Sequence, residues 1–222
     1  MQNAWSRTAV LYLLSEKRMS TYLNVAHGEL DDAFTAYAWN IRLAGALLSA
    51  TGMVEVVVRN SIDHTLTAWM EQKCLRGDWF DLPMLDTRAK ADVSNARNRL
   101  RRGGTNVDYD KIIAELTFGF WRFLTTRRYH ASLWVPALHK AFALGDPDLR
   151  KRQKDVSALL SDMTLIRNRA AHLEPVFRRN VERDIENARL LIGWIDADAL
   201  AWFNETLRID EVLADKPDFL RK

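Results

Sequence analysis

At 222 residues, 48% hydrophobic and with eight Trp, the chain has ample material for a core and falls outside the disordered class. Five Pro and nine Gly leave little room for long linkers, so a single domain over residues 1–222 is expected. The net charge of +3, with a pI of about 9.1, is a mild bias whose distribution matters more than its size.

No apolar run approaches the roughly 20 residues that span a bilayer. The start, Met1-Gln2-Asn3-Ala4-Trp5, lacks the charged-then-apolar build of a signal peptide. A cytoplasmic protein with no membrane partner is the expectation. The one cysteine, Cys74, has no Cys or His neighbour at metal-ligand spacing, which fits a reducing compartment and a packing role.

In chain order, Ser20 is a candidate N-cap, with Leu11-Tyr12-Leu13-Leu14 before it also open to helix, and Gly28 a candidate C-cap. Asp31 and Asp32 open the next helix. Its apolar positions run through Leu47, Val54, Val58, Ile62, Leu66 and Trp69, at multiples of three or four. That periodicity outweighs the β-branched run Val56-Val57-Val58, and the Glu55 to Arg59 spacing suits a helix face. Residues 75–86 are aperiodic, so Trp79 and Phe80 are expected to fold back on the core. Thr87 then caps a polar, basic helix that ends at Gly103-Gly104.

Asp108 caps a strongly apolar helix through Ile112, Ile113, Leu116, Phe120, Trp121 and Leu124, lightly interrupted by Gly119. A short helix near 137–144 ends at Gly145, and Asp146-Pro147 gives a cap plus a first-turn proline. From there Val156, Leu159, Leu160, Met163, Ile166 and Ala170 trace one face of a helix of about 25 residues. Pro175 stops it, because the residue before proline avoids the α region. A helix over 178–194 and shorter ones from Asp196 complete the chain. The pattern is all-α, and nothing in it alternates strand with helix as a nucleotide-binding sheet would.

Common catalytic signatures are missing, including phosphate loops, nucleophile elbows and metal sets. The Asp-x-Asp pairs at Asp108/Asp110, Asp146/Asp148 and Asp196/Asp198 each sit at a helix start, where capping accounts for them. No cofactor and no metal is called for. Interest concentrates on Arg167-Asn168-Arg169-Ala170-Ala171-His172-Leu173-Glu174-Pro175. Histidine can take or give a proton, arginine can stabilise a pentavalent phosphate, and asparagine can orient either. Those groups suffice for RNA cleavage by the neighbouring 2′-hydroxyl, with no metal and no water nucleophile.

Spacing alone does not distinguish this stretch. With 23 Arg and 5 His in the chain, chance gives about half a match, and a second one exists at Arg59-Asn60-Ser61-Ile62-Asp63-His64. For that copy a structural role is the expectation, with Arg59 and Asn60 as auxiliary candidates. Five helical residues turn about 500°, leaving Arg167 and His172 about 140° apart around the axis and about 7.5 Å along it. A two-fold dimer in which each motif faces its mate resolves the divergence.

Four ordered segments point further. Tyr37-Ala38-Trp39-Asn40, Glu55-Val56-Val57-Val58-Arg59-Asn60, Glu115-Leu116-Thr117-Phe118-Gly119-Phe120-Trp121 and Arg167 to Pro175 together resemble bacterial Abi-like (abortive infection) proteins, within the wider group of HEPN domains. The resemblance covers roughly residues 15–215. It implies an all-helical, HEPN-like bundle with additional helices, often dimeric, from phage-defence or toxin–antitoxin systems. In the active HEPN ribonucleases the Arg-polar-x-x-x-His motif is catalytic, which falls on Arg167, Asn168 and His172. Many Abi-like members carry a second His where this chain has Leu173.

The expectation is therefore a metal-independent endoribonuclease with His172 as general acid/base, Arg167 on the phosphate, Asn168 orienting and Glu174 positioning His172. Arg97, Arg99, Arg101, Arg102, Arg127, Arg128, Arg169, Arg178 and Arg179 are candidates for RNA contact through phosphate attraction. RNA, a second copy of the chain and an antitoxin or regulator are the expected partners. The rival reading is a non-catalytic helical module that binds RNA or protein. A nucleotide transferase lacks the acidic metal-binding set that such chemistry uses.

Overall fold

The computed structural model describes residues 5–104 and 106–221. The expectation of no leader at the first residues rests partly on 1–4, which lie outside them. Among the described residues the chain is all-α, with no strand. In order come α1 (Arg7–Leu14), α2 (Glu16–Val25), α3 (Leu30–Gln72), α4 (Thr87–Arg102), α5 (Tyr109–Glu115), α6 (Phe118–Leu124), α7 (Leu149–Ala171), α8 (Val181–Gly193), α9 (Ala197–Thr206) and α10 (Ile209–Ala214). Short 3₁₀ and π turns fill several connections.

Two compact units emerge, interleaved in sequence. The first takes the chain up to Ala50, Ile166–Val181 and the segment from Thr206; the second takes Thr51–Leu165 and Glu182–Glu205. No single cut in the chain separates them. The absence of a linker in the composition fits that interleaving, since α3 and α7 each run from one unit into the other.

In the first unit, Met19, Tyr22, Ala26, Ala33, Phe34, Ala36 and Tyr37 form a buried cluster. Tyr22 meets Tyr37 edge-on at 5.0 Å and Phe177 at 5.5 Å. The small residues at 26, 33 and 36 leave room for these rings, and aromatic pairs of this kind contribute about 0.5–1.5 kcal/mol beyond burial. Here the break between α1 and α2 falls at Ser15, whose hydroxyl accepts from the Arg18 amide. Ser20, expected as the cap, instead lies inside α2 and bonds the Lys17 carbonyl.

α3 continues through its valines without interruption. Val54, Val58, Ile62 and Leu66 are all fully buried, one every four residues. Each such burial contributes roughly 1.5–3 kcal/mol, more than the few tenths that a β-branched residue costs a helix. An 18-residue window of this helix reaches a mean hydropathy of 1.6, long and apolar enough by length and composition to cross a membrane. That corrects the expectation that no stretch does so: scattered polar residues break the apolar run without lowering its average far.

The second unit is built on aromatic contacts. Trp79 lies 5.8 Å from Trp121, and Phe80 stacks on Tyr109 at 5.3 Å, so the aperiodic 75–86 segment does return to a core. The Trp79 indole and the Tyr109 hydroxyl both donate to buried Asp63, at 2.7 and 2.5 Å. Burial, then Asp63, raises the Tyr109 pKa, keeping the phenol a donor.

Several boundaries differ from expectation. Asp86, not Thr87, caps α4 by accepting from the Ala89 amide at 2.9 Å. The single apolar helix expected over 109–124 is two, divided at Leu116 with ψ 131°. Buried Leu116, Phe118, Phe120, Trp121 and Leu124 do not share one stripe, and the break lets all of them face inward. Asp148 rather than Asp146 caps α7, bonding the Arg150 amide at 2.8 Å, while Asp146 accepts from the Asp148 amide at 2.9 Å. Asp196 caps α9 through Ala199. Cys74 is exposed, not packed inside.

Candidate active site

The motif ends α7, within the first unit. Its closure is a Schellman turn: the Glu174 amide bonds the Arg169 carbonyl at 2.9 Å and the Leu173 amide bonds Ala170 at 3.0 Å. Leu173 takes the left-handed conformation this demands, with φ 50°. α2 and α3 close the same way, with His27 and Cys74 at the left-handed position and Gly28 one residue beyond it. For a residue with a Cβ that conformation costs about 1 kcal/mol, so surrounding contacts must hold it.

Two residues supply those contacts. Arg18 of α2 donates through Nη1 to the carbonyls of His172 and Leu173, each at 3.3 Å. Fully buried Asn40 of α3 clamps the far side of the turn. Its Nδ2 donates to the Glu174 carbonyl at 3.0 Å, and its Oδ1 accepts from the Val176 amide at 2.9 Å. The neighbouring Trp39 indole donates to the Val212 carbonyl at 2.8 Å, fixing α3 against α10. The segment 37–40 and the motif are thus parts of one construction. Sequence reasoning quoted Asn40 without giving it a role and did not find Arg18, whose contacts are to backbone atoms and leave no spacing signal.

His172 donates its backbone N–H to the Asn168 carbonyl at 3.1 Å, so helical phase runs unbroken from Arg167. The two side chains therefore leave the axis about 140° apart, as the spacing predicts. Arg167 Nη1 donates to Asn168 Oδ1 at 3.3 Å. Among the described residues no hydrogen bond or ion pair joins Arg167 to His172. Arg167, Asn168 and His172 are exposed, and the imidazole has no hydrogen-bond partner among the described residues. Glu174 does not hold the imidazole; its carboxylate lies 3.6 Å from Arg169 Nε.

Beside the turn is an open hollow of about 300 Å³, bounded by Lys17, Arg18, Tyr22, Leu173 and Glu174. Lys17 and Arg18 give it two cations. The Tyr22 hydroxyl is buried without a hydrogen-bond partner, and burial pushes its pKa up, so it stays a neutral phenol. No family model, curated protein or solved structure matches this chain. Among the described residues no three His, Cys, Asp or Glu side chains come together as a metal site.

The remaining basic candidates divide by partner. Arg97 pairs with Asp81 at 3.2 Å and lies over Phe80, Arg99 holds Glu115, and Arg128 reaches Asp86 at 2.5 Å. Among the described residues Arg101 bonds Asn98, at 3.5 Å. Arg101, Arg102, Arg127 and Arg178 are exposed and have no carboxylate partner among the described residues, while Arg179 is half-buried. The unpartnered ones keep their full charge toward solvent. Arg59 donates to its neighbour Asn60 at 3.2 Å, within the second unit.

Proposed function

We propose that this chain is a metal-independent endoribonuclease of HEPN-like, Abi-like character, acting in the cytoplasm in phage defence or a toxin–antitoxin pair. The observation that carries the reading is the exposed Arg167-Asn168-x-x-x-His172 set on a helix end held by Arg18 and Asn40. Side chains on a fixed backbone can meet a phosphate with little reorganisation, which is where electrostatic catalysis gains most. The surrounding cations Lys17, Arg18 and Arg169 supply attraction for the RNA backbone.

In the proposed reaction His172 removes the proton of a ribose 2′-hydroxyl, or delivers one to the departing 5′-oxygen. The 2′-oxygen bonds to the adjacent phosphorus as the bond from phosphorus to the 5′-oxygen breaks. The products are a 2′,3′-cyclic phosphate and a 5′-hydroxyl. Arg167 balances the charge that builds on the non-bridging oxygens, and Asn168 fixes the Arg167 guanidinium through the bond described above. Glu174, paired with Arg169, acts on the turn rather than on the imidazole.

The divergence of Arg167 and His172 favours a homodimer in which one copy supplies the acid and the other the base. The direct test is incubation of the purified chain with total RNA in EDTA, with end-group analysis of the fragments. Cleavage that leaves cyclic phosphates and is lost in His172→Ala is expected; cleavage that needs Mg²⁺ or survives that substitution would overturn the proposal. Induced expression that arrests growth in a manner suppressed by the same substitution places the activity in the cell.

A further inference from the structure

The second unit contains a larger cavity, of about 560 Å³, lined by Arg127, His130, Arg150, Gln153, Lys154 and Ser157. Four of these come from the first turns of α7 at positions i, i+3, i+4 and i+7, one continuous face of the helix. Arg127 and His130 come from the turns that follow α6. Among the described residues no acid lines the cavity.

Its charge is uncompensated. Among the described residues Arg127, Arg150 and Lys154 have no carboxylate partner, although their sequence neighbours do: Arg128 pairs with Asp86 and Lys151 with Asp146. Arg152, the other cation in this run, is buried and donates to the carbonyls of Asp146 and His139. Basic residues adjacent in sequence are thus sorted, some onto carboxylates or carbonyls and three onto the cavity. Like charges brought together repel, and an anion between them relieves the repulsion.

The cavity also has a fixed polar side. Gln153 is 4% exposed, and its Nε2 donates to the Thr126 carbonyl at 2.8 Å. That bond fixes the amide orientation and turns Oε1 toward His130 Nδ1, 2.5 Å away. Since an amide oxygen can only accept, Nδ1 carries the proton and Nε2 is the nitrogen left for another partner. The α7 N-terminus itself is occupied by the Asp148 carboxylate, so side chains rather than the helix end must hold a ligand.

We propose that this cavity binds a phosphorylated small molecule carrying at least two negative charges, of the class of a nucleoside diphosphate. Arg127, Arg150, Lys154 and the Ser157 hydroxyl take the phosphate oxygens, while His130 Nε2, left as an acceptor, takes a hydroxyl or amino donor of the ligand's nucleoside. The volume falls within the roughly 300–1,000 Å³ of small-molecule sites, and the mixed Arg and Lys lining matches phosphate oxygens. The inference does not rest on the ribonuclease reading, because no residue of the motif takes part.

The test is calorimetric titration of the full chain with inorganic pyrophosphate, with ADP and with a short RNA lacking a terminal phosphate. Binding of pyrophosphate or ADP is expected, weakened more than tenfold in Arg127→Ala and Lys154→Ala and abolished in Ser157→Asp. Arg128→Ala and Lys151→Ala, which remove neighbouring cations that have carboxylate partners, are expected to leave affinity unchanged. Equal weakening by those two variants would reduce the effect to general charge and overturn the proposal. So would binding of the RNA alone, or no heat from either small probe at millimolar concentration.

Discussion

Two stretches of this chain share the spacing Arg-Asn-x-x-x-His, and the structure puts them to different use. In both, the arginine donates to the asparagine beside it, at 3.2 Å for Arg59 and 3.3 Å for Arg167. The residues between decide the rest. In the first copy Ser61 bonds the Ala141 carbonyl, Ile62 is in the core, and Asp63 receives Trp79 and Tyr109. In the second copy only Ala170 is buried, and the chain turns left-handed directly after the histidine. A shared spacing therefore says little until it is known whether the intervening residues are committed to packing.

The largest effect that separates the two is on the proposed cleavage. His172→Ala is expected to lower the rate by about 10²–10⁴-fold, the usual range for a lost general acid or base. His64→Ala is expected to leave it unchanged. Both are read by initial rates on one RNA substrate, and equal losses would break the comparison. The converse holds for stability. Asp63→Ala strands the buried Trp79 indole donor and leaves the half-buried Tyr109 hydroxyl with Thr67, an expected cost of about 2–3 kcal/mol in urea unfolding, whereas Asn168→Ala, at an exposed position, is expected to stay within about 0.5 kcal/mol of the parent.

Next in size is the support beneath the second copy. Asn40→Ala removes its two hydrogen bonds to the turn and leaves the Val176 amide without its partner, an expected cost of about 2 kcal/mol. The same variant should lower cleavage when compared at equal folded fraction, because the backbone carrying His172 is then held from the Arg18 side alone. Chemical denaturation followed by rate measurement separates the two consequences. Unaltered cleavage in a fully folded Asn40→Ala chain would show that the clamp is structural only.

Much of the fold was legible because burial and periodicity agreed. Val54, Val58, Ile62 and Leu66 mark one face of α3 so regularly that the β-branched run could be read through. The division between α5 and α6 was not legible, since Leu116 to Leu124 is apolar at nearly every position and gives no phase. The Arg167 to His172 stretch could be found from residue types and resemblance. Its supports could not: Arg18 acts on carbonyls 154 and 155 residues away, a contact that no side-chain pattern records. The same is true of Gln153, which reads as one polar residue in a charged run and proves to be buried beside His130.

The smallest effect concerns the backbone feature that the first copy lacks. Leu173 holds φ 50° at the position where a Schellman turn ordinarily takes glycine or asparagine. Replacing it with glycine relieves about 1 kcal/mol of strain but gives up a similar amount from a half-buried leucine and from the freer unfolded chain. Those contributions nearly cancel, so the informative comparison is between residues of unlike backbone preference. Leu173→Val places a β-branched residue in the left-handed region, while Leu173→Asn places one that tolerates it. The valine variant is expected to be less stable than the asparagine variant by about 1 kcal/mol, even though valine better replaces the lost apolar contact. Urea midpoints measured side by side decide it. If valine is the more stable, burial rather than the turn governs this position, and the backbone distinction between the two copies loses its energetic basis.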